Sequence, residues 1–424
     1  MGIEIYFKFI LTFGLILLAA RIGGELFERY LKQPPVLGEL VAGIIISPFA
    51  LGGLIHDPII LNFATVQGAF GIHEFNVMEV ISEIAVVVLL FVAGVETDVR
   101  SFLKQGITGA LVAVGGVIFP FIFGYFITMW LAPETGIAGW LFMGAVLTAT
   151  SIGLTVRILM EMGKLQTKAG TTILVGAVID DIISIVILSI VVGIGATAKF
   201  GGEINAGHVC LDALKIGAIG FAVWFALLII GVRFNKYISR FLLNPFKKSG
   251  TIPIFALIIG FIIAYLVTLV GLHPVVGAYV AGLMFAATGE REDILDKTRP
   301  IMLFLAPFFF CYLGMQVDMR LLWGGAIIAT VLTIAAVVGK IAGCYIPARF
   351  AGKMSHTDSM IVGVGMVPRG EVGLIIAGAG LLAGAIGRDL FGAAVAVSVV
   401  TTLVTPAILK PFFKKQSEPV KKDD

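Results

Sequence analysis

Residues 173–192 read ILVGAVIDDIISIVILSIVV, twenty apolar residues interrupted near the middle by Asp180 and Asp181. At 1.5 Å per residue such a stretch covers a bilayer core of about 30 Å as one helix. A charge near the bilayer centre costs several kcal/mol on insertion scales, so two adjacent carboxylates there demand a purpose. Consecutive helical residues point about 100° apart, so both cannot satisfy one partner on one face. One is expected to be tied to a neighbouring helix while the other looks into a cavity. A carboxylate facing a cavity can trade a proton for a metal cation.

The rest of the chain agrees with a membrane setting. Of 424 residues 58% are hydrophobic and 13% charged, and the mean hydropathy is +1.04. Soluble domains carry about a quarter charged residues. Reading apolar stretches between polar breaks predicts about 13 transmembrane helices in an all-α polytopic protein: 6–20, 36–51, 77–95, 106–131, 139–159, 170–194, 211–232, 252–271, 274–288, 300–318, 322–346, 358–385 and 390–412. The shorter stretch 59–72 holds Asn62 and Gln67 and is expected to be interfacial or re-entrant. With the N-terminus outside and the C-terminus cytoplasmic, 23 of the 30 Lys and Arg residues fall in inner loops or the tail, as the positive-inside rule requires. Lys8 and the lack of a small-residue cleavage site before Arg21 favour a retained first span over a signal peptide. Residues 413–424 form a short cytoplasmic tail, so the chain is expected to act within the membrane as a single transmembrane unit.

An internal repeat is visible. A shift of 220 aligns Gly94, Asp98 and Arg100 with Gly314, Asp318 and Arg320, and Gly153-Leu154 with Gly373-Leu374. A shift of 239 sets Pro35, Gly38, Ala42 and Gly43 against Pro274, Gly277, Ala281 and Gly282. The partners are seven spans apart, so each copy crosses in the opposite direction: an inverted-topology repeat of about 36–194 and 274–412, the architecture of secondary transporters with a midplane site.

Other intramembrane polar residues point the same way. Lys340, in AAVVGKIAGCY, sits about 9 Å along the axis from the cytoplasmic end of its span. It either snorkels to the headgroups or pairs with an aspartate; Gly339 and Gly343 beside it suit close helix packing and favour the pair. Pro368-Arg369-Gly370-Glu371 interrupts an apolar span with two helix breakers and two opposite charges, and aligns with TATSIGL, so both are expected to be discontinuous helices. Thr148, Thr150 and Ser151 then offer neutral oxygens to a hard cation, or bond back to their own helix. Arg369 and Glu371 are expected to neutralise each other or nearby helix ends, a structural role. Glu39 and Glu83 lie near span ends, where a headgroup-level carboxylate is cheap. The five histidines fall in or beside loops, and Cys210, Cys311 and Cys344 lack metal-ligand spacing, so neither a metal centre nor a cofactor is expected. A net charge of +3 spread over many loops gives no nucleic-acid surface.

The Asp-Asp span, the lysine five spans later and the PRGEVGL segment together resemble the monovalent cation/proton antiporter superfamily, in its branch of prokaryotic sodium/proton antiporters with paired aspartates. The resemblance extends from the PPVLGE segment at 34–39 to the last span. It implies a core domain with two crossed, partly unwound helices, a dimerisation domain, and elevator-type alternating access in a homodimer in the cell membrane of a prokaryote. It implies Asp181 as the carboxylate carrying Na+ (or Li+) and H+, Asp180 as the partner of Lys340, and Thr150 and Ser151 as the unwound segment nearby. It further implies more protons than cations per cycle, each net charge being worth about 2.3 kcal/mol per 100 mV. Relatives that carry a cytoplasmic nucleotide-binding regulatory domain run much longer, so glutathione- or nucleotide-gated potassium efflux is not expected. Within this fold a K+/H+ antiporter remains a rival, since hydroxyls and a carboxylate do not distinguish the two ions by type. A sodium-coupled organic-anion symporter is disfavoured by carboxylates that repel an anion, and a channel by a closing ion pair. No nucleophile–base pair or phosphate loop suggests an enzyme.

Overall fold

The computed structural model describes residues 2–51, 65–66, 75–199, 206–234, 237, 251–318 and 326–417. Among them sixteen α-helices follow in order: α1 Gly2–Leu26, α2 Pro35–Ile46, α3 Val77–Glu96, α4 Val99–Lys104, α5 Gly106–Leu131, α6 Gly136–Thr148, α7 Ile152–Glu161, α8 Lys168–Lys199, α9 Ala206–Arg233, α10 Ile252–Thr268, α11 Pro274–Ala286, α12 Arg291–Met315, α13 Ala326–Phe350, α14 His356–Gly365, α15 Glu371–Leu382 and α16 Arg388–Ser417. The pairing of Thr65–Val66 with Phe75–Asn76 is the one sheet described. Nine helical stretches among the described residues are long and apolar enough to cross a membrane, and four shorter apolar helices accompany them. The chain is a multi-pass membrane protein.

Each expected span meets a helix or a helix pair. Three differ from simple spans for local reasons. The stretch 36–51 stops as a helix at Ile46, because Ser47 precedes Pro48 and is driven to an extended conformation (ψ 154°). The stretch 139–159 is split into α6 and α7 by extended backbone at Ala149 and Ser151. The stretch 358–385 is split into α14 and α15 around Pro368 and Gly370. The segment 59–72 lies outside the described residues apart from Thr65 and Val66.

The chain divides into two compact units. Unit 1 comprises residues 1–96, 227–266 and 274–320; unit 2 comprises residues 97–226, 267–273 and 321–424.

In unit 1, α3 is buried all round from Ala85 to Val95, and α11 from Val275 to Phe285. A helix apolar on every face belongs in a core. Glycines bring these helices into backbone contact. A β-carbon on Gly43 of α2 would lie 1.9 Å from the Cys311 carbonyl oxygen of α12, and one on Gly314 would lie 2.1 Å from the Leu40 oxygen. The same crossing recurs between α11 and α3: a β-carbon on Gly282 would lie 2.2 Å from the Phe91 oxygen, and one on Gly94 2.3 Å from the Tyr279 oxygen. Gly43 and Leu40 stand 239 residues before Gly282 and Tyr279, and Phe91 and Gly94 stand 220 before Cys311 and Gly314. The two crossings are one contact made twice with partners exchanged, which is how copies related by a two-fold axis meet.

This geometry predicts that Gly43→Ala and Gly282→Ala lower the melting temperature of the detergent-purified protein by similar amounts. Overpacking costs about 1–3 kcal/mol or more where, as here, the opposing atom is backbone. Gly14→Ala, with nothing within 4 Å of its β-carbon, raises stability slightly. Equal melting of all three variants would refute the close approach.

Unit 2 repeats at the level of whole elements. The first residues of α5 and α13 (Gly106, Ala326), α6 and α14 (Gly136, His356), and α8 and α16 (Lys168, Arg388) each stand 220 apart. Helix α5 packs on α13 through Gly115 and Gly343, whose β-carbons would lie 2.1 and 2.2 Å from each other's carbonyl oxygens. Phe142, Val146 and Leu147 of α6 form the core with Leu332 and Ala336 of α13, Ile376 of α15 and Val397 of α16. Exposed Ile118, Ile122 and Phe126 of α5 give this unit an apolar outer face suited to lipid.

Candidate functional site: two interrupted helices and a buried aspartate–lysine pair

A helix leaves its last carbonyls without intrahelical partners, and in a membrane water is not there to take them. Helices α6 and α14 both end inside unit 2, and their carbonyls can be followed one by one. Of α14, the Gly365 oxygen accepts from the Thr155 hydroxyl (3.1 Å) and the Met366 oxygen from the Thr150 hydroxyl (3.3 Å). The Val367 oxygen accepts from Arg369 Nη1 (2.9 Å), and the Pro368 oxygen from the Ser151 backbone N–H (2.9 Å). Of α6, the Leu147 oxygen accepts from Arg369 Nε (3.2 Å) and Nη2, and the Thr148 oxygen from Lys340 Nζ (2.6 Å). Each interrupted helix is thus capped by the other repeat or by a buried cation, and cations belong at the negative end of the helix dipole.

Arg369 is 1% exposed. Its guanidinium bridges Leu147 and Val367, which stand 220 residues apart and are equivalent in the repeat, and also reaches the Ala336 oxygen (3.3 Å). Its own carbonyl accepts from the Thr402 hydroxyl (2.7 Å). The planar fork serves three carbonyls on two broken helices and α13, a task suited to arginine. Its bonds to the Leu147 and Val367 carbonyls are contacts with helix ends, one of the two roles expected for it. The side chain of Glu371, whose backbone opens α15, lies outside the described residues.

Lys340 is fully buried and also donates to Asp180 Oδ1 at 2.9 Å. Asp180 is fully buried and Asp181 is 4% exposed. Gly116 leaves the room for the lysine: a β-carbon there would lie 3.4 Å from Lys340 Cε and 2.6 Å from Cys344 Sγ. Lysine, aspartate pair, Thr150, Ser151 and Arg369 all belong to unit 2. The Thr148 hydroxyl bonds back to the Ala145 oxygen (2.7 Å), the fate of many helical hydroxyls. Ser151 packs against Gly370, where a β-carbon would lie 2.7 Å from its Oγ.

Glu39, near the end of its span, is enclosed by protein: it is 1% exposed within unit 1, because α2 is a short helix whose first turns pack inward. His356 is exposed at the start of α14, and its Nδ1 lies 2.9 Å from the Tyr345 hydroxyl. Thr155 and Thr402 were missed as caps of the broken helices; a signal was present for Thr155, which stands four residues after Ser151. Among the described residues no group of three His, Cys, Asp or Glu could hold a metal ion, and Cys311 and Cys344 are buried free thiols.

Known proteins match this architecture along nearly its whole length. The family model for the transmembrane sodium/hydrogen exchanger matches residues 14–415. The chain is 35% identical to the high-affinity Na+/H+ antiporter NhaS3 of Synechocystis sp., covering 97% of this chain and 92% of that protein. It is 34% identical to the Na+/H+-K+ antiporter GerN of Bacillus cereus, covering 98% and 99%. The structure of the sodium proton antiporter MjNhaP1 from Methanocaldococcus jannaschii superposes with a TM-score of 0.66 over 96% of this chain and 98% of that one, at 16% identity, a likeness of fold. By its helices, its two interrupted spans and these relatives, the chain belongs to the transmembrane sodium/hydrogen exchanger family and is a transporter, not an enzyme.

Proposed function

We propose that the chain is a secondary antiporter that exchanges cytoplasmic Na+ (or Li+) for external H+, with Asp181 as the carboxylate that carries either ion. The observation that carries this reading is the division of labour between adjacent aspartates: Asp180 is held by Lys340, while Asp181, on the next face of α8, retains slight exposure. A proton and a cation competing for one carboxylate cannot be carried together, which is obligatory exchange. Thr150 and Ser151, at the break between α6 and α7, line the approach. The Asp180–Lys340 pair acts as a switch that holds the site together when Asp181 is empty.

The reading includes a direction and a mode. The repeats have inverted topology, the N-terminus lies outside, and unit 2 is the moving core of an elevator whose scaffold, unit 1, joins a second copy in a homodimer. Support comes from the reciprocal crossings of unit 1 and from the concentration of the polar machinery in unit 2. A K+/H+ reading keeps a place because GerN, whose printed activity includes K+, covers 98% of the chain.

The test is reconstitution in liposomes holding a pH gradient read by a dye. Adding Na+ or Li+ collapses the gradient for the native protein and leaves it standing for Asp181→Asn, and K+ ranks below Na+. Full exchange by Asp181→Asn would remove Asp181 from the carrier role. A gradient that no cation collapses would remove the antiport reading.

A further inference from the structure

Ser184 lies in the middle of α8 and is 1% exposed, yet its Oγ has no hydrogen-bond partner. That is unusual for a helical hydroxyl in this protein. Ser189 of the same helix donates to the Ile185 oxygen (2.9 Å), Thr172 to Lys168 (2.8 Å), Ser398 to Ala394 (3.0 Å) and Thr401 to Val397 (2.7 Å), each to the carbonyl four residues earlier. Ser184 makes no such bond. Thr128 and Ser47 also have partnerless buried hydroxyls, but neither has a carboxylate within a turn on its own helix.

Ser184 does. One turn earlier, Asp180 presents Oδ1 to Lys340, and its Oδ2 is buried with no hydrogen-bond partner. Residues four apart on a helix have β-carbons about 5–6 Å from each other on one face, so one small ligand can meet both oxygens. Asp181 stands three residues before Ser184 and is its neighbour along the other ridge. At about 100° per residue Ser184 stands between the two aspartates, about 40° round α8 from Asp180 and about 60° from Asp181. A cation beside Ser184 can therefore meet carboxylates that no single side chain on one face could. The donor types on this face of α8, carboxylate and hydroxyl oxygen, suit a hard cation.

We infer that Ser184 is a further cation ligand: its hydroxyl oxygen and Asp180 Oδ2 complete, with Asp181, the oxygen shell of the transported monovalent cation. The inference rests on the antiport reading and deepens it by assigning a ligand one turn beyond the aspartates. It accounts for two buried oxygens that the helix leaves unsatisfied.

The test measures melting temperature in detergent against NaCl and LiCl at one pH, with choline chloride holding ionic strength, for the native protein, Ser184→Ala and Ser184→Thr. A ligand that binds the folded state raises its melting temperature, so the half-effective concentration reports affinity. Ser184→Ala raises that concentration about tenfold, the weight of one bond to a charged group, while Ser184→Thr, which keeps the hydroxyl, stays near native. A half-effective concentration unchanged in Ser184→Ala overturns the inference, as does a native protein that neither cation stabilises. The liposome assay separates the two readings. Exchange with an unchanged Ser184→Ala affinity sinks the ligand assignment alone; binding that weakens as expected without any exchange sinks antiport and leaves the ligand standing.

Discussion

Lys340→Met lowers stability by about 3–5 kcal/mol, the cost of stripping one partner from a buried ion pair, and abolishes ion-dependent exchange in liposomes. The substitution keeps the length of the apolar stem and removes only the charge and its donors. Asp180 is then a buried carboxylate stripped of its ion-pair partner, and the Thr148 carbonyl at the end of α6 loses its donor. The comparison that isolates the pair is the double variant Asp180→Asn, Lys340→Met. Removing both charges leaves no uncompensated ion, so most of the loss in melting temperature returns, although exchange does not. A single variant as stable as the native protein would mean that the 2.9 Å contact carries no energy. A double variant as unstable as the single would shift the loss to packing around Gly116.

Arg369→Ala ranks beside it. The guanidinium serves the Leu147, Val367 and Ala336 carbonyls, all buried, and each buried acceptor left unsatisfied costs about 1–3 kcal/mol. The variant also removes a cation from the point where two helix C-termini meet. A loss of about 3–5 kcal/mol, near the low end of the sum because the carbonyls relax, is expected as a marked fall in melting temperature. Arg369→Lys separates charge from geometry: an ammonium restores the field but cannot span repeat-equivalent carbonyls as a planar fork does. It therefore recovers only part of the stability. Full recovery by lysine would show that charge alone is needed; no loss in the alanine variant would show that the carbonyls find other donors.

Much of the architecture was legible in the letters. All thirteen apolar stretches correspond to helices because the bilayer imposes one local requirement, twenty or so apolar residues with satisfied backbone, that composition alone reveals. The interruptions at 149–151 and 366–370 were legible for a related reason. Thr-Ala-Thr-Ser offers hydroxyls that compete with helix bonds, and Pro-Arg-Gly removes a donor and relaxes the backbone. The offset of 220 also carried through, from scattered identities to the first residues of three helix pairs. The ends were less legible: 36–51 was too long by one turn, since a proline signal at residue 48 weighs little against a continuous apolar run.

What the amino-acid order settled, then, is everything whose energy is decided within a few residues: membrane class, helix positions, the two breaks, and the presence of charges too costly to be idle. Partner choice is another kind of quantity. Lys340 finds Asp180 across 160 positions and Arg369 finds Leu147 across 222, and along α8 nothing local tells which aspartate faces the lysine. Glu39 looked cheap at a span end and is enclosed by protein, since enclosure depends on what packs against α2. Only the packed tertiary structure shows that Arg369 joins equivalent carbonyls of two repeats, or that the Ser184 hydroxyl declines the carbonyl one turn back. Hydrogen bonds and burial are properties of surroundings assembled from distant segments, and a one-dimensional pattern holds the components without the distances between them.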